Sequence, residues 1–148
     1  MNSKLKPNDM QTLILTLIFS VGTFLCANAQ NSVEVVITNF ENENGKALVG
    51  LYNTEDSFLE DAWQSQSAVI KEGQASVVFE NIPDGTYAVS AFHDEDDDQK
   101  LDMFLGFYPT EDYATSNNAP AKFGPPKWDD AKFDLRKGAK VIQKINMM

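Results

Sequence analysis

The stretch FENIPDGTYAVSAFHD, residues Phe79 to Asp94, decides the fold class of this chain. Its centre, NIPDG, predicts a tight turn, because proline presets φ for a turn and glycine accepts conformations that other residues resist. Apolar and polar side chains alternate on both sides of the turn, as is typical of half-buried strands. The stretch therefore predicts two strands, Gln74–Glu80 and Thr86–Phe92, joined by the turn.

The same alternation recurs along most of the chain. It predicts further strands at Ser32–Phe40, Lys46–Asn53, Ser67–Lys71, Lys132–Arg136 and Lys140–Asn146. Turn residues predict that the first two of these form one hairpin, and that Ser67–Lys71 forms another with Gln74–Glu80. Only Glu55–Gln64 has near-helical apolar spacing, over one or two turns. About seven short strands with closely spaced turns predict a single all-β domain, a mostly antiparallel β-sandwich.

The first 29 residues have the pattern of a signal peptide. Lys4 and Lys6 precede an uncharged apolar run, and Ala27-Asn28-Ala29 offers a small-x-small cleavage site. A transmembrane anchor is the competing interpretation, but the run is short for a span of about 20 residues. We therefore expect residues 1–29 to be removed, residues 30–148 to form the β-sandwich domain, and the protein to be secreted or periplasmic without membrane insertion.

Composition limits which reactions and partners are expected for residues 30–148. The chain has one cysteine, Cys26, which lies within the predicted signal peptide. Disulfides and thiol catalysis are therefore not expected. The formal net charge of the whole chain is −10. Such a surface repels phosphate backbones, so nucleic acid is not an expected partner, whereas cations and neutral glycans are.

The stretch HDEDDDQKLD, residues 93–102, resembles a calcium loop. Alternate side chains of a curled loop can converge on one centre, and calcium prefers carboxylate and carbonyl oxygens. The alternation predicts a metal site formed by Asp94, Asp96, Asp98, Lys100 (through its carbonyl) and Asp102. The simpler interpretation is a solvated acidic run that binds nothing.

Two positions depart from the usual calcium loop. Gln99 stands where the sharp turn favours glycine, and a left-handed conformation there costs about 1 kcal/mol. Leu105 stands where a bidentate glutamate is expected. Glu111 or Asp112 could supply that ligand from the following segment.

Catalysis has little support in the sequence. His93 is the one histidine, and the strand alternation places it on the core face with Tyr87, Val89 and Ala91, which favours a hydrogen-bonded structural histidine. Ser116 is the nucleophile that folding could bring towards it, without the turn that presents a catalytic serine. A non-enzymatic protein is the favoured interpretation, and a hydrolase the less favoured one.

The segment Met103–Asp130 is too long and too aromatic for an ordinary linker, so we expect an ordered excursion packed on the sheets. Aromatic faces beside amides suit sugar stacking and hydroxyl recognition. They predict a candidate ligand site at Tyr108, Tyr113, Asn117, Asn118 and Trp128. Packing of these rings as a satellite core is the alternative.

Several motifs resemble known families. The stretch Phe79–Asp94 resembles the strand–turn–strand of transthyretin-like and Cna-B-like sandwiches, which suggests a fold and no activity. HDEDDDQKLD, FLGFYPTEDYATSNNA and KFGPPKWDDAKFDL, in this order, look like the bacterial secreted family called domain of unknown function 2141, over about Val33 to Ile145. Relatives often have Asn and Gly where this chain has Asp97, Asp98 and Gln99. The resemblance implies a small secreted or periplasmic β-sandwich and no activity.

These observations lead to one functional hypothesis and one alternative. The first is a binding or structural module with a calcium-stabilised loop. The alternative is a small carbohydrate-binding module that uses the aromatic segment 104–128. In either case the expected partners are a glycan or another secreted or envelope protein.

Overall fold

The computed structural model describes residues 30–106, 108–121 and 124–148, and nearly all of its regular structure is β. The predicted signal peptide lies outside the described residues. The strands are β1 Asn31–Thr38, β2 Lys46–Tyr52, β3 Gln64–Ala68, β4 Gln74–Ile82, β5 Gly85–Asp94, β6 Met103–Phe104, β7 Tyr108–Pro109, β8 Tyr113–Thr115, β9 Phe133–Leu135 and β10 Lys140–Asn146. A 3-10 turn at Ser116–Asn118 and a short helix, α1 Trp128–Ala131, lie among the later strands.

The strands form two main sheets and one small hairpin. The first sheet has the order β10-β1-β4, and the second has the order β3-β2-β5-β8, with β9 also paired to β5. The hairpin consists of β6 and β7. Inward side chains of both main sheets share one hydrophobic core. The predicted all-β class is confirmed, and two facing sheets fit a sandwich.

The core follows the alternation seen in the sequence. On β1, Val33, Val35 and Ile37 are fully buried while their neighbours are partly exposed. On β4, Ala75, Val77 and Phe79 point inward in the same way. Burial of a large aliphatic or aromatic side chain contributes about 1.5–3 kcal/mol, so these rows hold the two sheets together.

The predicted hairpins are wrong, because the turns connect different sheets. β1 pairs with β4 and β10, whereas β2 pairs with β3 and β5. β3 and β4 likewise belong to different sheets, and the connection between them contains an isolated bridge, Lys71 to Gln74. The turn at NIPDG also crosses from the first sheet to the second. A turn that changes sheets lets both flanking strands bury one face in the shared core.

One pairing differs in direction from the rest. β10 runs parallel to β1, with Ser32 opposite Lys140 and Thr38 opposite Asn146. The other pairs of strands are antiparallel. β10 therefore forms one edge of this three-stranded sheet, and β1 is its central strand.

The excursion after β5 is ordered where it is described, as expected. It contributes β8, the 3-10 turn and α1, all of which pack beside β5. A second, smaller apolar cluster lies there, made of Ala88, Ala119 and Ala131 with Phe58 and Trp128. No helix in the described ranges is long and apolar enough to cross a membrane.

Candidate metal site at the end of the fifth strand

The site begins with a buried carboxylate at the end of β5. Asp94 is 0% exposed and is the last residue of β5. Lys46 lies opposite it on β2, with Nζ 3.8 Å from Asp94 Oδ2 and 2.8 Å from Asp97 Oδ1. The hydrogen bond to Asp97 raises the pKa of Lys46 above its usual value. Lys46 therefore pairs mainly with Asp97, and its contact with the buried Asp94 is the longer one.

The acidic loop folds back over Asp94. The backbone N–H of Asp98 donates to Asp94 Oδ1 at 3.1 Å, and the N–H of Gln99 donates to Oδ2 at 3.2 Å. Gln99 has φ 66° and Asp97 has φ 63°. The left-handed turn that the sequence requires at Gln99 is therefore present, despite its cost for a residue with a Cβ.

Glu111 closes the loop from the segment that precedes β8. Its Oε1 accepts from the N–H of Glu95 at 2.9 Å, and its Oε2 accepts from the N–H of Asp102 at 3.1 Å. The N–H of Thr110 donates to the carbonyl of Asp102, which fixes the same crossing point. Glu111 is only 8% exposed. One carboxylate thus joins the first and last parts of the acidic loop.

Three carboxylates converge at this point. One ligand oxygen from each of Asp94, Asp96 and Glu111 lies within 4.8 Å of the other two. Opposed oxygens around a calcium ion are about 4.6–5.2 Å apart, since each lies about 2.3–2.6 Å from the ion. The spacing of the three side chains is therefore compatible with one metal ion between them.

This group overlaps with the predicted ligands only in part. It includes Asp94 and Asp96 of the predicted set, and Glu111, which the sequence offered as a replacement for the absent final ligand. The side chains of Asp98 and Asp102 are exposed and lie outside the group. Asp98 instead caps the loop, because its Oδ1 accepts from the N–H of Lys100 at 2.7 Å.

His93 has a structural place next to this group. It is fully buried, as its strand position predicts, and its ring packs edge-on against Phe40 with centroids 5.2 Å apart. Its Nε2 lies 2.8 Å from the carbonyl oxygen of Asn44. A carbonyl only accepts, so Nε2 is the donor. Nδ1 has no hydrogen-bond partner among the described residues and lies 3.7 Å from Glu95 Oε1.

Asp112 borders the histidine on another side. Its carbonyl accepts from the His93 N–H at 2.8 Å. Burial raises the pKa of the Asp112 carboxyl, and the charges of Glu41 and Glu95 raise it further. Carboxylates therefore outnumber basic side chains around the acidic loop.

Ser116 is not brought to His93. Its hydroxyl accepts from the N–H of Val89 at 2.9 Å and donates to the carbonyl of Ala131 at 2.6 Å. Val89 and His93 are four residues apart on one strand, which is about 13 Å. His93 is therefore too far from this serine to act as its general base, and the hydroxyl bonds the backbone of the fold.

The aromatic and amide residues of the excursion are dispersed. Asn117 donates to the carbonyls of Asp130, Ala131 and Lys132, and Asn118 bonds the backbone of β10. Tyr113 lies on β8, and the side chain of Tyr108 lies outside the described part of the chain. The two amides are thus engaged with the backbone and are not free for a ligand.

Trp128 has a different environment. Its ring packs edge-on against Phe58, with centroids 5.7 Å apart. It also lines an open groove of about 530 Å³ with Phe133, Thr86, Lys132 and Asp134. Phe133 was not among the predicted ligand-binding residues, because the sequence placed it only within the strand Lys132–Arg136.

Comparison with known proteins identifies the family and leaves the activity open. No curated protein and no solved structure gives a significant match to the chain. Residues 35–143 match the family described as uncharacterized protein conserved in bacteria (DUF2141). This match spans both sheets, the acidic loop and Glu111. The chain therefore belongs to the DUF2141 family of bacterial proteins.

Proposed function

We propose that the protein is a secreted or periplasmic, non-enzymatic module with a transthyretin-like sandwich, and that its acidic loop binds calcium. The observation that carries this proposal is the convergence of two buried carboxylates, Asp94 and Glu111, with the exposed Asp96 within 4.8 Å. Calcium takes six to eight oxygen ligands. Backbone carbonyls of the loop and water would complete the shell.

The electrostatics of the buried pair favours a cation. A buried carboxylate is costly unless it is paired or well hydrogen-bonded. Asp94 and Glu111 each accept two backbone N–H groups, which offsets part of that cost. Within the described residues Glu111 has no ion pair, and Asp94 has only the more distant contact with Lys46. A divalent ion would supply the charge that the protein does not.

The proposed role of the ion is structural. Glu111 already links Glu95 to Asp102, and β8 begins two residues after it. An ion held by Asp94, Asp96 and Glu111 would fix the end of β5 to the start of the excursion. Such a link would order the loop, β8 and the segment that follows as one unit. Extracytoplasmic sites with Kd of about 10⁻⁴–10⁻³ M serve this purpose in other modules.

Calorimetric titration of the purified protein with Ca²⁺ tests the proposal. We expect saturable binding that is abolished by Glu111→Gln and weakened at least about tenfold by Asp96→Asn, since each removes a charged ligand. Asp56→Asn, an exposed carboxylate in the turn after β2, is the matched control and should bind as the wild type. A wild-type protein that releases no heat at millimolar Ca²⁺ would contradict the proposal.

Carbohydrate binding is the second candidate, and the groove beside Trp128 favours it. Trp128 and Phe133 are partly exposed, and Thr86, Lys132 and Asp134 supply hydroxyl, ammonium and carboxylate groups around them. Sugar rings stack on aromatic faces while polar groups at the rim bond their hydroxyls. The competing explanation is that Trp128 only covers Ala88 and Ala131 in the smaller cluster.

A glycan array with the purified protein separates these explanations. Binding that is lost on Trp128→Ala and on Phe133→Ala would support the groove. Trp63→Ala is the matched control, because Trp63 is also exposed and is not one of the residues that line the groove. An array without signal would contradict carbohydrate binding. The remaining proposal would then be a calcium-bound structural module with a secreted or envelope protein as its partner.

A further inference from the structure

We propose that Asn44 is a site of spontaneous deamidation and that His93 promotes the reaction. The backbone nitrogen of Gly45 attacks Cγ of the Asn44 side chain and loses its proton, and ammonia leaves. The product is a five-membered succinimide. Water then opens the ring at either carbonyl, which gives aspartate or isoaspartate at residue 44. No oxidant, metal or enzyme is required, and water is the only co-reactant.

The sequence and exposure of this turn suit the reaction. Asn44-Gly45 is the one Asn-Gly pair in the chain. Glycine has no side chain to obstruct the approach of its nitrogen to the neighbouring amide. Asn44 is exposed, so water can reach Cγ and ammonia can leave. Its own backbone N–H is fixed by a 2.9 Å hydrogen bond to Asn42 Oδ1, which holds the turn in place.

The contact with His93 acts on the attacking group. The oxygen that Nε2 of His93 bonds at 2.8 Å is the carbonyl of Asn44, and this carbonyl shares its peptide group with the nitrogen of Gly45. When that nitrogen loses its proton, the negative charge is delocalised onto the oxygen. A donor already placed on the oxygen stabilises the anion without reorganisation. His93 therefore lowers the cost of removing the proton from the Gly45 nitrogen, and more of the reactive anion is formed.

The fold keeps this donor in position. His93 is fully buried, and its ring is held by Phe40. Ala47 lies opposite His93 in the β2–β5 pairing, so the strand register also fixes the distance between the ring and the turn. In the unfolded chain only water donates to this carbonyl, and it must reorganise as the charge develops. The folded protein is therefore expected to deamidate faster than the unfolded one, which is the reverse of the usual protection by structure.

Deamidation rates in the folded and the urea-unfolded protein test the proposal. Both samples are incubated in one buffer at mildly alkaline pH, and peptide mapping by mass spectrometry follows aspartate and isoaspartate at residue 44. We expect the folded rate to be about five-fold higher, the factor that one net hydrogen bond contributes to a rate. Asn117, whose amide donates to three carbonyls, is the internal control and should be slower in the folded protein.

Two variants of His93 test whether its ring causes the faster deamidation of Asn44 in the folded protein. His93→Gln retains an N–H donor and should keep most of the acceleration, whereas His93→Phe keeps a ring against Phe40 and should lose it. Circular dichroism verifies that each variant is folded. The comparison of folded and unfolded wild-type protein does not depend on these variants. A folded rate equal to or below the unfolded rate overturns the proposal. A folded His93→Phe variant that deamidates as fast as the wild type overturns the role of His93.

Discussion

The main chain of Gly45 lies directly against the carbonyl oxygen of Asp94. A Cβ at residue 45 would stand 1.9 Å from that oxygen, and Gly45 has φ 59°. Both the space and the backbone conformation therefore require glycine at this position. The contact fixes the beginning of β2 to the end of β5, where the acidic loop begins.

Gly45→Ala should lower the free energy of unfolding by about 3 kcal/mol, since a steric clash adds to the strain of a left-handed residue. Gly73→Ala is the matched control, because Gly73 has φ 70° and its nearest contact, the carbonyl of Phe40, would be 3.9 Å from the added Cβ. That variant should lose only about 1 kcal/mol. Urea unfolding measures both values. Equal losses would show that the contact with Asp94 relaxes easily.

Asp96→Asn should reduce the stability that calcium confers on the protein. Without the ion, the variant removes repulsion among three close carboxylates, up to about 1 kcal/mol for a pair at this distance in water. With Ca²⁺ tenfold above the wild-type Kd, the wild type should gain about 1.4 kcal/mol of linkage stabilisation, and a variant that binds tenfold more weakly should gain about 0.4 kcal/mol. Urea unfolding in chelator and in Ca²⁺ measures both gains. Equal gains would argue that Asp96 is not a ligand.

Ser116→Ala should destabilise the protein by about 2–3 kcal/mol, because the buried N–H of Val89 would lose its acceptor. The carbonyl of Ala131 would also lose a donor, although Asn117 still bonds it. Ser67→Ala, on the exposed side of β3, should change the free energy by less than about 0.5 kcal/mol. Thermal or urea unfolding compares the two variants. A near-neutral Ser116→Ala would mean that water replaces the hydroxyl.

Asp84 should make the protein less stable in acid. The hydrogen bond from Asn31 lowers the pKa of Asp84 most, and the N–H of Lys137 lowers it further. A carboxyl with a lowered folded pKa stabilises the protein above its unfolded pKa, near 3.8, and this contribution is lost as the pH falls through the folded pKa.

Asp84→Asn should therefore be less stable than the wild type at pH 6, and the difference should shrink as the pH falls below about 4. Urea midpoints measured across this range give the comparison. Glu80→Gln, an exposed carboxylate at the other end of the same turn, should leave the midpoints parallel to the wild type. A constant gap between Asp84→Asn and the wild type would contradict the assignment.

Local patterns predicted most strands and two of the three carboxylates in the candidate site. Alternation located β1, β2, β4, β5 and β10 within one or two residues, and it placed His93 in the core. The odd spacing of the acidic loop identified Asp94 and Asp96, whereas Gln99 counted against a calcium loop and nevertheless makes the left-handed turn. These features depend on short-range geometry, which the sequence records directly.

Pairing partners and cross-chain contacts could not be predicted in the same way. A strand such as β1, buried on one face, has the same alternation whichever strand lies beside it, so the sequence did not indicate its parallel pairing with β10. The amides of Asn117 and Asn118 looked available for ligands because their backbone acceptors are distant in sequence. Glu111 was one of two candidates until the fold brought it to Asp94.

The pairing of β1 with β10 has a consequence for biosynthesis. β1 is made first and needs, as a neighbour, a strand about 108 residues later, as in the bond between Thr38 and Asn146. A growing chain therefore cannot complete its first sheet until β10 has left the ribosome. Contacts of such long range make folding slow. Slow, late folding keeps the chain unfolded for longer. A protein needs this delay if it crosses a membrane before it folds.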